Sequence, residues 1–121
     1  MQTARPAVLI AENGGLVGIL GPEGRVLSKP RGAGFVAKNW LENDGDSREQ
    51  YAAATLWNIK SAEWRIRHIT KKQEIVGFTC AKGDIVVLSM QAPEPAPCTL
   101  YDPQKLRRSG AMALYRDDRH G

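Results

Sequence analysis

The segment KPRGAGF, residues 29–35, carries residue types that could bind phosphate. Two cations, Lys29 and Arg31, precede Gly32 and Gly34, directly before a segment with helical apolar spacing. Helix N-termini attract anions, because their free N–H groups and the helix dipole present positive charge. The glycine spacing matches neither the P-loop nor the dinucleotide-binding pattern. Two interpretations therefore remain open, a phosphate-binding loop and a plain strand-to-helix connection.

Basic residues cluster in three places, within residues 25–31, 65–72 and 105–108. Seventeen Lys and Arg against thirteen Asp and Glu give a net charge of +4, which permits binding to DNA without requiring it. A solvated surface is the ordinary meaning of such clusters, and only their convergence on one face would create a DNA track. The candidate nucleic-acid-binding residues are Lys29, Arg31, Arg65, Arg67, Lys71, Lys72, Lys105, Arg107 and Arg108.

Residue combinations typical of catalysis or metal binding do not occur in the sequence. No nucleophile is spaced with a base, and the histidines His68 and His120 are too scattered to build a zinc site with the two cysteines. Asp44 and Asp46 lack the spacing of a calcium loop and are interpreted as turn and cap residues. The sequence thus predicts a protein that is not an enzyme, with no catalytic residue, no metal and no cofactor.

Turn signals divide the start of the chain into three short strands. The apolar runs of residues 7–11 and 16–20 are separated by Asn13-Gly14, which suits a tight hairpin. A second turn, residues 21–24, leads into RVLSK. A three-stranded β meander is predicted.

Helical signals follow in the middle and near the end of the chain. Residues 35–43 place apolar side chains four apart, and the DGD of residues 44–46 ends that helix. Ser47 and Gln50 resemble a capping box that opens a second helix, residues 48–56. Asp102 is predicted to cap a short helix, residues 103–109, which Gly110 stops.

Alternating and apolar runs predict further strands. They cover residues 62–70, with Trp64, Ile66 and His68 on the apolar side, then 74–80 and 84–90 as a second meander, then 98–101 and 111–116. Trp40 and Trp64 are interpreted as core residues rather than as residues that stack on bases. His68 is interpreted as a packed or surface-edge residue rather than as a catalytic base. We expect a single soluble α+β domain, residues 1–121, with a mostly antiparallel sheet built from two β meanders and two or three short helices.

Cys80 and Cys98 allow either a disulfide or two free thiols. If the strands of residues 74–80 and 84–90 form a hairpin, Cys80 lies near its turn, and Cys98 follows a seven-residue loop that leaves from the far end. That loop would have to run back beside its own strand to bring the sulfurs together. We therefore predict two separate thiols.

Two groups of residues, one near each end of the chain, match the sequence pattern of a known family. The amino-terminal group is Pro6, Val8, Leu9, Ile10, Gly14, Gly24, Arg25, Phe35, Trp40, Leu41, Asp44 and Gly45. The carboxyl-terminal group is residues 84–88, Cys98, Asp102, Leu106, Gly110, Ala111, Ala113 and Leu114. With these residues the chain resembles the carboxyl-terminal soluble segment of ComEC-family competence proteins. Residues 47–73 match no pattern of the family.

The resemblance implies a soluble, non-catalytic part of an inner-membrane channel through which DNA enters the cell. Many ComEC proteins end in a metallo-β-lactamase-like domain, but here DIVVLSM is followed by QAPEPAP in place of paired histidines, which implies a metal-less remnant. The implied partners are DNA and the membrane portion of the same protein, with the domain on the periplasmic side and no small-molecule substrate. The alternative is a domain that supports the channel without binding DNA.

Overall fold

The computed structural model describes residues 5–115, which form seven strands and five helices. The elements in chain order are β1 Val8–Ile10, β2 Val17–Gly21, β3 Gly24–Leu27, α1 Gly34–Asn43, α2 Gln50–Ala53, α3 Trp57–Trp64, β4 Ile66–Ile69, α4 Lys72–Ile75, β5 Ile85–Leu88, β6 Thr99–Tyr101, α5 Pro103–Ser109 and β7 Met112–Leu114. They build a mixed α+β fold with one antiparallel and one parallel sheet. No helix among residues 5–115 has the length and apolar character needed to cross a bilayer.

The predicted opening meander is confirmed. The antiparallel sheet has the order β3-β2-β1-β7, so strands close in sequence pair through short turns and β7 adds to the far edge of β1. At the first turn, Gly14 has φ 72°, the left-handed conformation that the Asn-Gly pair favours. The predicted last strand is observed as Met112–Leu114, whereas Arg116 lies outside the described residues.

The predicted second meander is wrong. Strands β4, β5 and β6 form a parallel sheet in that order, with Ile66 paired to Ile85 and Ile85 to Thr99. Residues 74–80 are not a strand, because α4 ends at Ile75 and an irregular segment follows it. The apolar run EIVGF instead supplies side chains that cover the sheet, since Ile75 and Phe78 pack against buried Val86 and Leu88.

Helix bounds in the middle of the chain also differ from the prediction. Helix α1 matches it closely, and buries Ala37 and Leu41. The predicted helix of residues 48–56 is observed as the single turn α2 followed by α3. Trp64 ends α3 rather than lying in a strand, and Arg65, with φ 56°, makes the left-handed turn into β4. Trp64 nevertheless packs against the core as predicted.

Three apolar layers hold the two sheets and the helices together. The main cluster lies between the sheets and includes Val8, Ile19, Val87 and Leu106. A second cluster packs α1 and α2 on the outer face of the antiparallel sheet. A third lies on the outer face of the parallel sheet, beneath residues 75–80 and the proline loop. Burial on both faces explains why IVVL of β5 is apolar throughout.

Cys80 and Cys98 form a disulfide, so the prediction of two separate thiols is wrong. That prediction depended on residues 74–80 forming a hairpin strand with β5. Because this segment crosses the outer face of the parallel sheet instead, it brings Cys80 close to the start of β6, with the two Cα atoms 5.7 Å apart.

Candidate nucleic-acid interface

The parallel sheet brings basic residues from two distant segments to one edge. Lys71 and Lys72 follow the end of β4, and Lys105 follows the end of β6. Strands of a parallel sheet end on the same side, and β4 and β6 are separated only by β5, a span of about 10 Å. The side chains of Lys71 and Lys72 are exposed and make no hydrogen bond or ion pair within residues 5–115. We call this side the carboxyl edge.

The loop between β3 and α1 lies near the same edge. Lys29 interacts electrostatically with His68, the third residue of β4. The loop is held by α2, because the Gln50 side-chain amide donates to the carbonyl oxygens of Lys29, at 3.1 Å, and Gly32, at 2.8 Å. The predicted capping box is therefore wrong, since Gln50 supports the loop and α2 has no side-chain cap. Arg31 is exposed, so the loop presents its cation to solvent.

His68 links the turn of the antiparallel sheet to the carboxyl edge. Its Nε2 atom donates to the Gly14 carbonyl oxygen over 2.8 Å, and the half-buried ring agrees with a packed or edge histidine. Burial lowers the pKa of His68, the bond to Gly14 opposes that effect, and the nearby Lys29 lowers it further. Gly14 packs so closely that an added Cβ would lie 2.1 Å from the Leu88 carbonyl oxygen. The β1–β2 turn therefore packs directly against the end of β5.

Arg65 and Arg67 have exposed side chains, and each of them contacts other residues of the domain. Arg65 precedes β4 and forms an ion pair with Asp84 at 2.7 Å. A hydrogen bond from the Ala81 backbone N–H holds the pKa of Asp84 below its usual value, and a hydrogen bond from the Arg65 side chain adds to this effect. Arg67 donates to the Thr79 carbonyl oxygen and lies 5.6 Å from the Phe78 ring centre. Of the second basic cluster, Lys71 and Lys72 thus lie at the carboxyl edge without a side-chain hydrogen bond or ion pair among residues 5–115.

Helix α5 carries the third basic cluster. The Asp102 side chain accepts a hydrogen bond from the Lys105 backbone N–H at 2.9 Å, so the predicted N-cap is confirmed. The Lys105 ammonium lies 4.8 Å from the Tyr101 ring centre, which fixes it beside the end of β6. Leu106 is buried between the sheets, while Arg107 and Arg108 are exposed in the last turn of the helix.

A buried ionic network, which sequence reasoning missed, fixes the helical side of the antiparallel sheet. Arg25 is 1% exposed and pairs with Asp44 at 2.9 Å, and it also donates to the Pro6 carbonyl oxygen. Gly18 leaves room for it, since an added Cβ would lie 2.8 Å from Arg25 Cδ. Asp44 is thus an ion-pair partner as well as the residue that ends α1. A buried arginine gives no sequence signal apart from its place in an otherwise apolar strand.

Asp46 and Arg48 extend this network to α2. Their side chains pair at 2.7 Å, and Arg48 donates to the Arg25 carbonyl oxygen at 3.1 Å. The hydrogen bonds from Arg48 lower the pKa of Asp46. Asp46 also accepts from the Arg48 backbone N–H, which makes it the first residue of a turn before α2 rather than a helix cap.

Residues 5–115 contain no group of three or more His, Cys, Asp and Glu side chains placed to hold a metal ion. His120 lies outside the described residues. Comparisons of the chain with protein families, with curated proteins and with solved structures found no match.

Proposed function

We propose that this protein is a non-catalytic soluble domain of a DNA-uptake channel protein, and that it binds DNA phosphates through the carboxyl edge. One observation carries the proposal: the parallel order β4-β5-β6 places Lys71, Lys72 and Lys105 on the side that also holds Lys29. Four cations from three segments thus lie on one side of the parallel sheet, as a phosphate track requires. Glu74, in the first turn of α4, is an acidic residue beside this track.

The assignment to a DNA-uptake channel depends on the resemblance to ComEC-family proteins. The Arg25–Asp44 pair offers a physical reason for two residues of that pattern, because it ties the second turn of the meander to the end of α1. An inner-membrane origin, a periplasmic position and descent from a metallo-β-lactamase-like domain belong to the same proposal. Binding to phosphate does not depend on them and can be tested separately.

The test is a salt titration of binding to a labelled oligonucleotide. Four phosphate contacts give a slope of log affinity against log salt of roughly −3 on single strands and roughly −4 on duplex. We expect Lys71→Ala and Lys72→Ala each to weaken binding and to reduce the steepness of the slope by roughly 1. Lys82→Ala is the matched control, because Lys82 is an exposed lysine before β5, at the opposite end of the sheet. Absence of binding at low salt, or an equal effect of Lys82→Ala, would contradict the proposal.

A second function is favoured by an apolar groove on the outer face of the parallel sheet. Residues 75–80 and 93–97 line a cavity of about 520 Å³ beside the disulfide, and Val76 at its rim is 81% exposed. Exposed apolar surface of this kind is typical of protein contacts. The domain would then support the membrane channel without touching DNA. A Val76→Glu variant that loses association with the membrane portion, while DNA binding is absent in both proteins, would favour this function.

A further inference from the structure

Phe35 is a large apolar side chain that the fold leaves in solvent. It is 79% exposed, and it lies in the first turn of α1. The helix turns its buried residues, Ala37 and Leu41, toward the antiparallel sheet, and at 100° per residue Phe35 points to the opposite side. Packing within the domain therefore does not account for a phenyl ring at this position.

Cations flank Phe35 on both sides. Arg31 lies in the loop just before α1, and Lys38 is its i+3 neighbour on the exposed face of the helix. The loop that carries Lys29 and Arg31 is fixed by Gln50, so its position relative to Phe35 is defined. An exposed ring beside cations is the combination by which proteins bind unpaired bases, with the ring stacking on a base and the cations holding phosphates.

A recess beside Phe35 could accommodate a nucleobase. It has a volume of about 280 Å³ and is lined by the Val36, Asn39 and Trp40 side of the helix and by the β1–β2 turn. Asn13 and Asn39 offer amide groups at its wall, and Glu12 is its acidic residue. A duplex keeps its base faces stacked inside the helix, so this recess fits a single strand.

We propose that Phe35 is a base-stacking residue, and that the surface formed by Lys29, Arg31, Phe35 and Lys38 binds single-stranded nucleic acid in preference to duplex. This inference rests on the proposed function, because the phosphates of the same strand would occupy the basic loop. It adds a residue that recognises bases, which a purely electrostatic surface lacks. The sequence pattern alone marks Phe35 only as the start of a helix.

The experiment compares two probes of equal length, an oligothymidine and an oligomer of abasic deoxyribose phosphate. Both carry the same backbone charge, and only the first carries bases. We expect the wild-type protein to bind oligothymidine more tightly, and Phe35→Ala to lower that affinity about tenfold while leaving the abasic affinity unchanged. Phe35→Leu should lose as much oligothymidine affinity as Phe35→Ala, because leucine has no ring face even though it keeps apolar bulk. Phe35→Trp should retain the affinity.

Two controls separate stacking from other effects. Tyr115→Ala removes a ring that is 58% exposed and lies at the end of β7 away from the recess, so it should change neither affinity. Arg31→Ala should weaken both probes equally, since it removes only a phosphate contact. The fold of each variant is checked by circular dichroism, and exposed positions of this kind are expected to tolerate substitution.

The outcomes distinguish this inference from the proposed function. Equal wild-type affinity for the two probes, with no effect of Phe35→Ala, would overturn the stacking role and leave phosphate binding intact. Failure of the wild-type protein to bind either probe at low salt would overturn both. Loss of both affinities in Phe35→Ala, with the fold retained, would also overturn a base-specific role.

Discussion

The β1–β2–β3 meander and the parallel sheet differ in how far apart in sequence their paired strands lie, whereas β7 joins the meander from the other end of the chain. Strands β1, β2 and β3 follow one another through short turns, whereas Ile66 of β4 pairs with Ile85 and Ile85 pairs with Thr99. Each sheet also has its own cross-link, the Arg25–Asp44 ion pair in one and the Cys80–Cys98 disulfide in the other. The meander of neighbouring strands thus carries a buried ion pair, and the sheet of distant strands carries a covalent bond.

The largest loss of stability is expected from Arg25→Ala in the antiparallel sheet. The change leaves the Asp44 carboxylate and the Pro6 carbonyl oxygen without their partner, in a place where Arg25 is almost wholly buried. Breaking one side of a buried pair costs about 3 to 5 kcal/mol of the free energy of unfolding. Urea denaturation monitored by circular dichroism measures the loss.

Two further variants sharpen this result. Replacing both partners, as Arg25→Met with Asp44→Leu, should recover much of the lost stability, because no charge is left buried. Arg48→Ala should cost about 1 kcal/mol, since Arg48 is partly exposed to solvent. If Arg25→Ala cost no more than Arg48→Ala, the buried pair would not be the cross-link of this sheet.

The parallel sheet should respond next most strongly, to loss of its disulfide. Cys80→Ser with Cys98→Ser removes a bond that joins residues 18 apart in sequence, and loop-closure entropy predicts a cost of about 3 kcal/mol. Hydrogen exchange should rise first in residues 75–80 and in β6, the segments that the bond joins. An increase confined to the antiparallel sheet would contradict this assignment.

The disulfide itself is checked by alkylating the unreduced, unfolded protein and measuring its mass. We expect no label on Cys80 or Cys98 before reduction and two labels afterwards. Two labels without reduction would restore the sequence-based prediction of separate thiols.

The same contrast explains how much the sequence could predict. Asn13-Gly14, the turn before Arg25 and the cap at Asp102 each act within a few residues, and all three were recognised. The run EIVGF was predicted as a strand because β-branched and aromatic residues favour strands, but contacts with Val86 and Leu88 overrode that preference. Pairing of β4 with β5 depends on long-range contacts that no local pattern encodes.

The candidate interface shows the same limit. The nine basic residues were identified by type, but their availability depends on partners far along the chain, such as Asp84 for Arg65 and Thr79 for Arg67. The spacing of Gln50 from Ser47 predicts a capping box. In the structure the Gln50 side chain instead donates to the carbonyl oxygens of Lys29 and Gly32. Exposure of Phe35 follows from the direction in which α1 packs, which is a tertiary property.

An added side-chain atom should lower the free energy of unfolding more at the junction between the two sheets than at an exposed turn. Gly14→Ala places a Cβ against the Leu88 carbonyl oxygen and also forces a residue with φ 72° to be alanine, so we expect a loss of about 2 to 3 kcal/mol. Gly45→Ala is the matched control, because Gly45 has φ 71° and nothing within 4 Å of the added atom. It should lose only about 1 kcal/mol. Equal losses would mean that the sheets separate easily at this contact.

The smallest effect is expected from pH, through His68 at the same junction. Burial lowers the pKa of His68 in the folded protein below its unfolded value of about 6.5, and Lys29 adds to this while Glu74 opposes it. Between the two pKa values the unfolded chain binds more protons, so stability falls as the pH drops below about 6.5 and levels off below the folded pKa. One group of this kind changes the free energy of unfolding by at most about 1.4 kcal/mol per pH unit.

The variant His68→Gln retains a donor for the Gly14 carbonyl oxygen but has no titrating ring. Its stability should therefore depend less on pH than that of the wild type between pH 5 and 6.5, roughly the window in which histidine titrates. Denaturation curves at several pH values compare the two proteins, and parallel pH dependences would show that the histidine contact does not link protonation to the joining of the sheets.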